Sequence, residues 1–116
     1  MFVAIYAFEV KLGCEETFLA AWSELTELIY QYRGSLGSRM HRQANGLFVA
    51  YAQWPSRVSW EGSGPSEHAI SPDEGDGLRA AMRASCEKIE TLHELEVVDD
   101  HLREAPHHQD RSDDSV

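Results

Sequence analysis

Cysteine is scarce: Cys14 and Cys86 are the only two in 116 residues. That excludes a disulfide framework, and neither has a partner cysteine at metal-ligand spacing. Each lies in or beside a helical pattern where a reduced thiol packs as a small apolar group, which points to a reducing cytoplasm. Long apolar runs are also missing. No stretch approaches the roughly 18 residues of a membrane-spanning helix, and apolar Met1 to Val10 has neither the basic leader nor the cleavage site of a signal peptide. Basic residues are few: ten Lys and Arg face twenty Asp and Glu, a formal charge of −10. Residues 1–102 alone carry 16 acids and 8 bases, so the excess belongs to the domain and not only to its tail. Such a surface repels phosphate, which argues against nucleic acid and anionic membrane as partners. There is no internal repeat, no glycine-rich phosphate loop after a strand, no Gly-x-Ser-x-Gly elbow and no dinucleotide fingerprint.

What is present is a core. Hydrophobic residues make up 42% of the chain and charged residues 26%, within the range of one globular domain. Phe2 to Phe8 is an unbroken run rich in β-formers and reads as a strand. From Glu15 to Tyr32 the apolar positions Phe18, Trp22, Leu25, Ile29 and Tyr32 share one helical face, with Glu15 and Glu16 at the positive end and Gly34 placed to stop it. Ser35 to Gln43 alternates as a second strand. Asn45-Gly46 offers positive φ at both centres of a tight hairpin turn, and Leu47 to Trp54 follows as a third strand ended by Pro55. Along this strand Tyr51 and Gln53 fall on one side, Phe48, Ala50, Ala52 and Trp54 on the other.

Ser56 to Trp60 forms a short helical turn capped by Ser56, before a glycine-rich loop. Ser71-Pro72-Asp73-Glu74 has the form of a capping box, opening a second helix in which Leu78, Met82, Cys86 and Ile89 are spaced to face a core. Thr91 to Val98 closes the domain as a fourth strand. The order β-α-β-β-α-β predicts an α+β, ferredoxin-like fold: a four-stranded antiparallel sheet with two helices on one face, spanning residues 1–102, and a polar tail over 103–116. The first and third strands are apolar on both faces. Two helices cover only one, so the other predicts a homodimer with sheet packed on sheet.

Gly34-Ser35-Leu36-Gly37-Ser38-Arg39 after the first helix, and Tyr51-Ala52-Gln53-Trp54-Pro55-Ser56 at the end of the third strand, carry a resemblance. The chain resembles the antibiotic biosynthesis monooxygenase family of dimeric α/β-barrel proteins over roughly residues 2–100. The resemblance implies a homodimer whose subunits each hold a pocket between sheet and helices, often open to a hydrophobic aromatic substrate. Some members are oxygenases using no metal and no flavin; others bind and cleave haem. The haem-cleaving branch uses an asparagine on its first strand, where this chain has Ile5, Tyr6, Ala7 and Phe8, and that demotes the haem reading. The leading expectation is therefore a cofactor-independent monooxygenase acting on a small aromatic or quinol-like substrate, with no bound cofactor.

Such a reaction needs an aromatic pocket and groups that stabilise a substrate anion. Tyr6, Tyr51 and Trp54, with Arg83, are the candidate substrate-binding residues, although Trp54 and Phe48 read first as core and dimer-interface packing. Trp60 and His68, beside and within the glycine-rich loop, are the candidate catalytic pair, since a histidine exchanges protons readily near neutral pH. The loop from Glu61 to Asp76 has glycines that suit a lid. Arg79 and Arg83, four apart on the second helix, offer charge to an enolate or phenolate, or pair with surface acids. His41 and His93 fall on the outer strands. His107, His108 and Asp110 lie in a tail without the fixed geometry of a metal site. The rival readings are a non-catalytic barrel binding a small apolar ligand, which predicts an aliphatic pocket, and an isomerase of small metabolites, which needs a polar one.

Overall fold

The computed structural model describes residues 1–62 and 72–103. Strand β1 (Phe2–Val10) leads into helix α1 (Glu15–Arg33), strands β2 (Gly37–Arg42) and β3 (Phe48–Trp54), short helix α2 (Arg57–Glu61), helix α3 (Pro72–Ala84) and strand β4 (Cys86–Glu96). The four strands form one antiparallel sheet in the order β2-β3-β1-β4. The two strands that are apolar on both faces are thus the central ones, and the more polar β2 and β4 take the edges, where charged side chains discourage further pairing.

Register decides which residues share a face. Phe2, Ala4, Tyr6 and Phe8 of β1 lie opposite Trp54, Ala52, Ala50 and Phe48 of β3. These eight side chains point toward the helices. Phe18, Ala21 and Leu25 of α1 and Met82 of α3 pack on Phe8, Phe48, Ala50 and Cys86. Phe18 is fully buried, its ring 5.0 Å from Phe8 and 5.5 Å from Phe48. Phe2, Ala4, Ala52 and Trp54 form a second cluster, flanked by Trp60. The buried residues thus form two clusters, bridged by the partly buried Tyr6 and Ile29. Val3, Ile5, Ala7, Val49 and Tyr51 lie on the sheet's other face by the same registers.

Local signals explain most boundaries. Gly34 ends α1 at φ +85, a conformation that costs little only without a Cβ. The fifth position of the predicted α1 stripe, Tyr32, is 52% exposed and leaves the core at that last turn. Ser56 caps α2: its Oγ accepts from Ser59 N–H at 3.2 Å, and Ser59 Oγ accepts from Ser56 N–H at 3.2 Å. The predicted cap of α3, Ser71, lies outside the described residues.

Two expectations are corrected. The hairpin does not place Asn45-Gly46 at the centre of a two-residue turn. Gly46 N–H donates to the Gln43 carbonyl at 2.9 Å, so Ala44 and Asn45 are the central pair, and only then does Gly46 take φ +93. Gln43 N–H closes on the Leu47 carbonyl at 2.8 Å, the three-residue hairpin with a following positive-φ glycine. Second, Cys86 and Ile89 belong to β4, not to α3. Ser85 ends the helix, its Oγ donating to the Ala81 carbonyl at 2.8 Å, while its own carbonyl accepts from Lys11 N–H. The pairing then steps from Val10 opposite Cys86 to Glu9 opposite Lys88, which leaves Glu87 as a bulge. One inserted residue puts positions three apart on the same face, so a bulged strand imitates helical spacing.

Candidate functional site

The gap between the two core clusters is a cavity of about 430 Å³. Well-packed interiors leave few voids larger than a water molecule, and a space of this size matches small-molecule sites. Its floor is the sheet: Tyr6 and Phe8 of β1, Ala50, Ala52 and Trp54 of β3, Ser38 of β2 and Ile89 of β4. Its roof is Trp22, Leu25, Thr26 and Ile29 of α1, with Arg79, Met82 and Arg83 of α3. The wall is mainly apolar and aromatic. No Asp or Glu is among these residues, in a chain with twenty of them. Apart from backbone, the polar groups of these residues are the hydroxyls of Tyr6, Thr26 and Ser38, the indoles of Trp22 and Trp54 and two guanidiniums, all able to donate a hydrogen bond.

Tyr6 is the best-placed of these groups. Its hydroxyl oxygen accepts from Trp60 Nε1 at 2.6 Å, and the Trp60 ring leans on Phe2 with centroids 5.1 Å apart. With the oxygen so engaged, the Tyr6 proton points elsewhere and has no acceptor among the described residues. Burial pushes the phenol above its ordinary value of 10.0; the Trp60 bond opposes this and Glu94 adds to the rise. Tyr6 is therefore a protonated donor at neutral pH rather than a base. Trp54 is 3% exposed, and its Nε1 is buried with no hydrogen-bond partner among the described residues. The nitrogen is sealed from the cavity space, so Trp54 contributes the face of its ring to the wall.

The α3 side carries charge. Arg79 and Arg83, one helical turn apart, make no salt bridge with any described residue. Arg79 is half-buried, and burial holds its guanidinium below the ordinary arginine range; Arg33 and Arg83 push the same way and Asp76 opposes. Arg57, by contrast, is satisfied at the surface by Glu94 at 2.8 Å and Glu61 at 3.6 Å.

Of the candidate residues, the structure brings Tyr6, Trp54, Arg79 and Arg83 to one cavity. Trp60 stands behind Tyr6 and is not among the lining residues described. Tyr51 faces away. It lies on the opposite side of the sheet, its hydroxyl accepting from Gln53 Nε2 at 3.1 Å, beside a second hollow lined by Arg39, His41 and Leu102. His41 Nδ1 is 3.1 Å from the Val49 carbonyl on that same side. His93, opposite Ile5, shares it. His68, the lid residues 63–71 and the tail with His107, His108 and Asp110 lie outside the described residues. Among the described residues no cluster of His, Cys, Asp and Glu could hold a metal ion. Cys86 is buried, and burial pushes its thiol up, as expected of a packing residue.

Trp22, Thr26, Ser38 and Met82 were not singled out from sequence as site residues. Thr26 is the usable signal: four positions after Trp22, it is a polar side chain beside the apolar stripe of α1. Ser38 is another, a small polar residue on the helix-facing side of β2, in line with Met40.

This arrangement defines a class, a βαββαβ domain with a donor-studded aromatic cavity between its sheet and helices. The chain belongs to the antibiotic biosynthesis monooxygenase family, whose model matches residues 1–70. Its fold is similar to that of a mutant form of SnoaB, a cofactor-independent oxygenase from Streptomyces nogalater. The TM-score is 0.68 at 15% identity, covering 85% of this chain and 94% of that one. Rv0793 from Mycobacterium tuberculosis matches with TM-score 0.67 at 14% identity, over 85% and 96% of the two chains. An antibiotic biosynthesis monooxygenase structure matches with TM-score 0.67 at 19% identity, over 85% and 100%. A search of curated proteins finds no match. Among the described residues no helix is long and apolar enough to cross a membrane.

Proposed function

We propose that the chain is a homodimeric, cytoplasmic, cofactor-independent monooxygenase acting on a small aromatic or quinol-like substrate. The observation that carries the reading is the cavity itself, apolar and aromatic in its walls, with polar side chains that, among the described residues, can all donate a hydrogen bond. A substrate that reduces oxygen directly must first lose a proton, so the protein's task is to bind the ring, stabilise the resulting anion and keep water away. Tyr6 donates to the anionic oxygen, Trp54 packs on the ring, and Arg79 and Arg83 supply positive charge. Trp60 acts through Tyr6, as a positioning residue whose N–H occupies the phenol oxygen and aims its proton. His68 is the proton acceptor in this reading. An aliphatic cavity would have favoured the non-catalytic ligand-binding barrel; Trp22, Trp54 and two arginines in the wall favour the enzyme.

The dimer rests on the second face of the sheet. Ile5, Val49 and Tyr51 are each partly exposed there, an apolar surface that a second copy would cover. Sedimentation at micromolar concentration should give twice the 13.1 kDa chain mass, and a stable monomer would overturn this part. For catalysis, oxygen uptake is measured with a panel of hydroquinones and anthrones, comparing wild type with Tyr6→Phe, Trp60→Phe and His68→Ala. Uptake above the protein-free rate that falls in the variants supports the assignment; equal rates in all four proteins defeat it.

A further inference from the structure

Arg79 and Arg83 bring two positive charges to the cavity, where the single anionic oxygen of an oxidisable ring calls for one. Both lie on one face of α3 and both line the cavity. Among the described residues, Arg57 and Lys88 make salt bridges to described carboxylates while Lys11, Arg39 and Arg42 do not, so what sets Arg79 and Arg83 apart is their shared place at an apolar cavity. Elsewhere Arg57 pairs with Glu61 and Glu94, Lys88 pairs with Glu90 at 2.9 Å, and Arg42 lies over the Phe48 ring. At the cavity between helices and sheet, neither guanidinium has a salt bridge to a described carboxylate; Arg33 and Arg83 repel Arg79, and Asp76, outside the cavity lining, offsets this in part. Arg83 sits in the last turn of α3, where the helix dipole favours a cation. That accounts for Arg83 but not for Arg79, a turn earlier and half-buried.

We infer that the ligand of this cavity carries a permanently ionised carboxylate, seated on Arg79 and Arg83, with its aromatic body between Tyr6, Trp22 and Trp54. The inference rests on reading the cavity as the ligand site and is independent of oxygen chemistry. Two guanidiniums one helical turn apart can share the two oxygens of a carboxylate, and their planar forks match its geometry. The same anion relieves the repulsion between the arginines, which no acid in the described lining does. The aromatic walls then select for a ring, so the preferred class is an aryl carboxylic acid rather than a bare anion.

The test compares 2-naphthoate with its neutral isostere 2-naphthamide, by calorimetry or by quenching of the indole fluorescence. Inorganic phosphate alone is the third arm. The acid should bind at least tenfold more tightly than the amide, a difference of about 1.4 kcal/mol. That preference should drop below about threefold in Arg79→Gln and in Arg83→Gln, and persist in Arg103→Gln, which removes a guanidinium outside the cavity. Near-UV circular dichroism shows whether the variants keep native packing. Phosphate should compete only at far higher concentration than the acid. Equal or tighter binding of the amide, a preference that survives both substitutions in folded protein, phosphate binding as tightly as the acid, or no binding of either naphthyl ligand would each overturn the inference. Oxygen uptake with neutral hydroquinones separates the two ideas. Uptake without acid preference sinks only the carboxylate, and acid preference without uptake sinks only the oxygenase.

Discussion

Replacing Trp60 by phenylalanine removes the N–H that holds the Tyr6 hydroxyl while keeping a ring against Phe2. At 2.6 Å the bond is slightly shorter than the usual N–H···O range, and it joins two residues 54 positions apart in the chain. A partly buried hydrogen bond of this kind contributes about 0.5–1.5 kcal/mol net. The smaller ring adds a cavity cost of order 1 kcal/mol. Trp60→Phe should therefore destabilise by roughly 1.5–2.5 kcal/mol and Tyr6→Phe by about 1 kcal/mol. Because both remove the same bond, the double variant should fall short of their sum by about 1 kcal/mol. With urea slopes of about 1–3 kcal/mol per molar for small domains, that coupling is a midpoint discrepancy of roughly 0.3–1 M. The four proteins are unfolded in urea at neutral pH and one fixed protein concentration, since a dimer's stability depends on concentration. Additivity to within about 0.3 kcal/mol would refute the positioning role. A spectroscopic readout separates the hydrogen bond from simple packing. The Trp60 bond lowers the Tyr6 phenol against the effect of burial, so Trp60→Phe should move its alkaline titration further up. A downward move would contradict the geometry.

Three further outcomes follow from the same structure. The folded-state phenol of Tyr6 is raised, so its contribution to stability is complete below 10.0 and is lost as pH climbs through the raised value; wild type should lose its advantage over Tyr6→Phe above that pH, as read by urea midpoints. Phe18→Ala should cost about 3–5 kcal/mol, because the fully buried ring bridges Phe8 and Phe48, whereas Phe18→Leu should cost far less; thermal melts that rank them equal would count against a close-packed first cluster. Gly34→Ala should cost about 1–2 kcal/mol through backbone conformation alone, since a Cβ there meets no atom within 4 Å, and a neutral result would mean that α1 does not end in a left-handed residue.

The elements that sequence revealed well are those whose period matches their neighbours'. The Phe18, Trp22, Leu25, Ile29 stripe is a regular helix face, and β3 alternates cleanly, so both were readable residue by residue. Strand β4 was hidden by its own irregularity. It bulges near Glu87 and again between the partners of Ile5 and Tyr6, and each extra residue converts a period of two locally into three. For the site, composition exposed the aromatic and arginine candidates, but register sorts them, and register is a long-range property. Tyr51 and Trp54 differ by an odd number of positions along one strand and so must face opposite ways. That Tyr6 joins Trp54 and not Tyr51 depends on its lying opposite Ala50, which neither strand alone contains. The partnership of Trp60 with Tyr6 is similarly invisible until α2 folds back over β1.

The charge of −10 also changes meaning once the cavity is described. As a global quantity it favours a neutral ligand, because an acidic surface repels anions during approach. Contact energies are local, however, and at physiological salt charges beyond about 8 Å are largely screened, so two arginines at a cavity wall outweigh distant carboxylates for a bound group. An aryl carboxylate binding here should therefore show opposed electrostatics in its two rates. Salt should speed association, by screening the repulsive net charge, and should also speed dissociation, by weakening the guanidinium contacts. Stopped-flow fluorescence with 2-naphthoate at about 20 and about 300 mM NaCl, spanning Debye lengths from roughly 20 to 6 Å, reads both rates. Arg79→Gln should weaken the salt dependence of dissociation, the Arg79→Gln/Arg83→Gln double variant should abolish it, and both should leave that of association. An association rate that instead falls with salt would mean that the arginines already govern the field at long range, and that the net charge of the fold has no part in choosing its ligand.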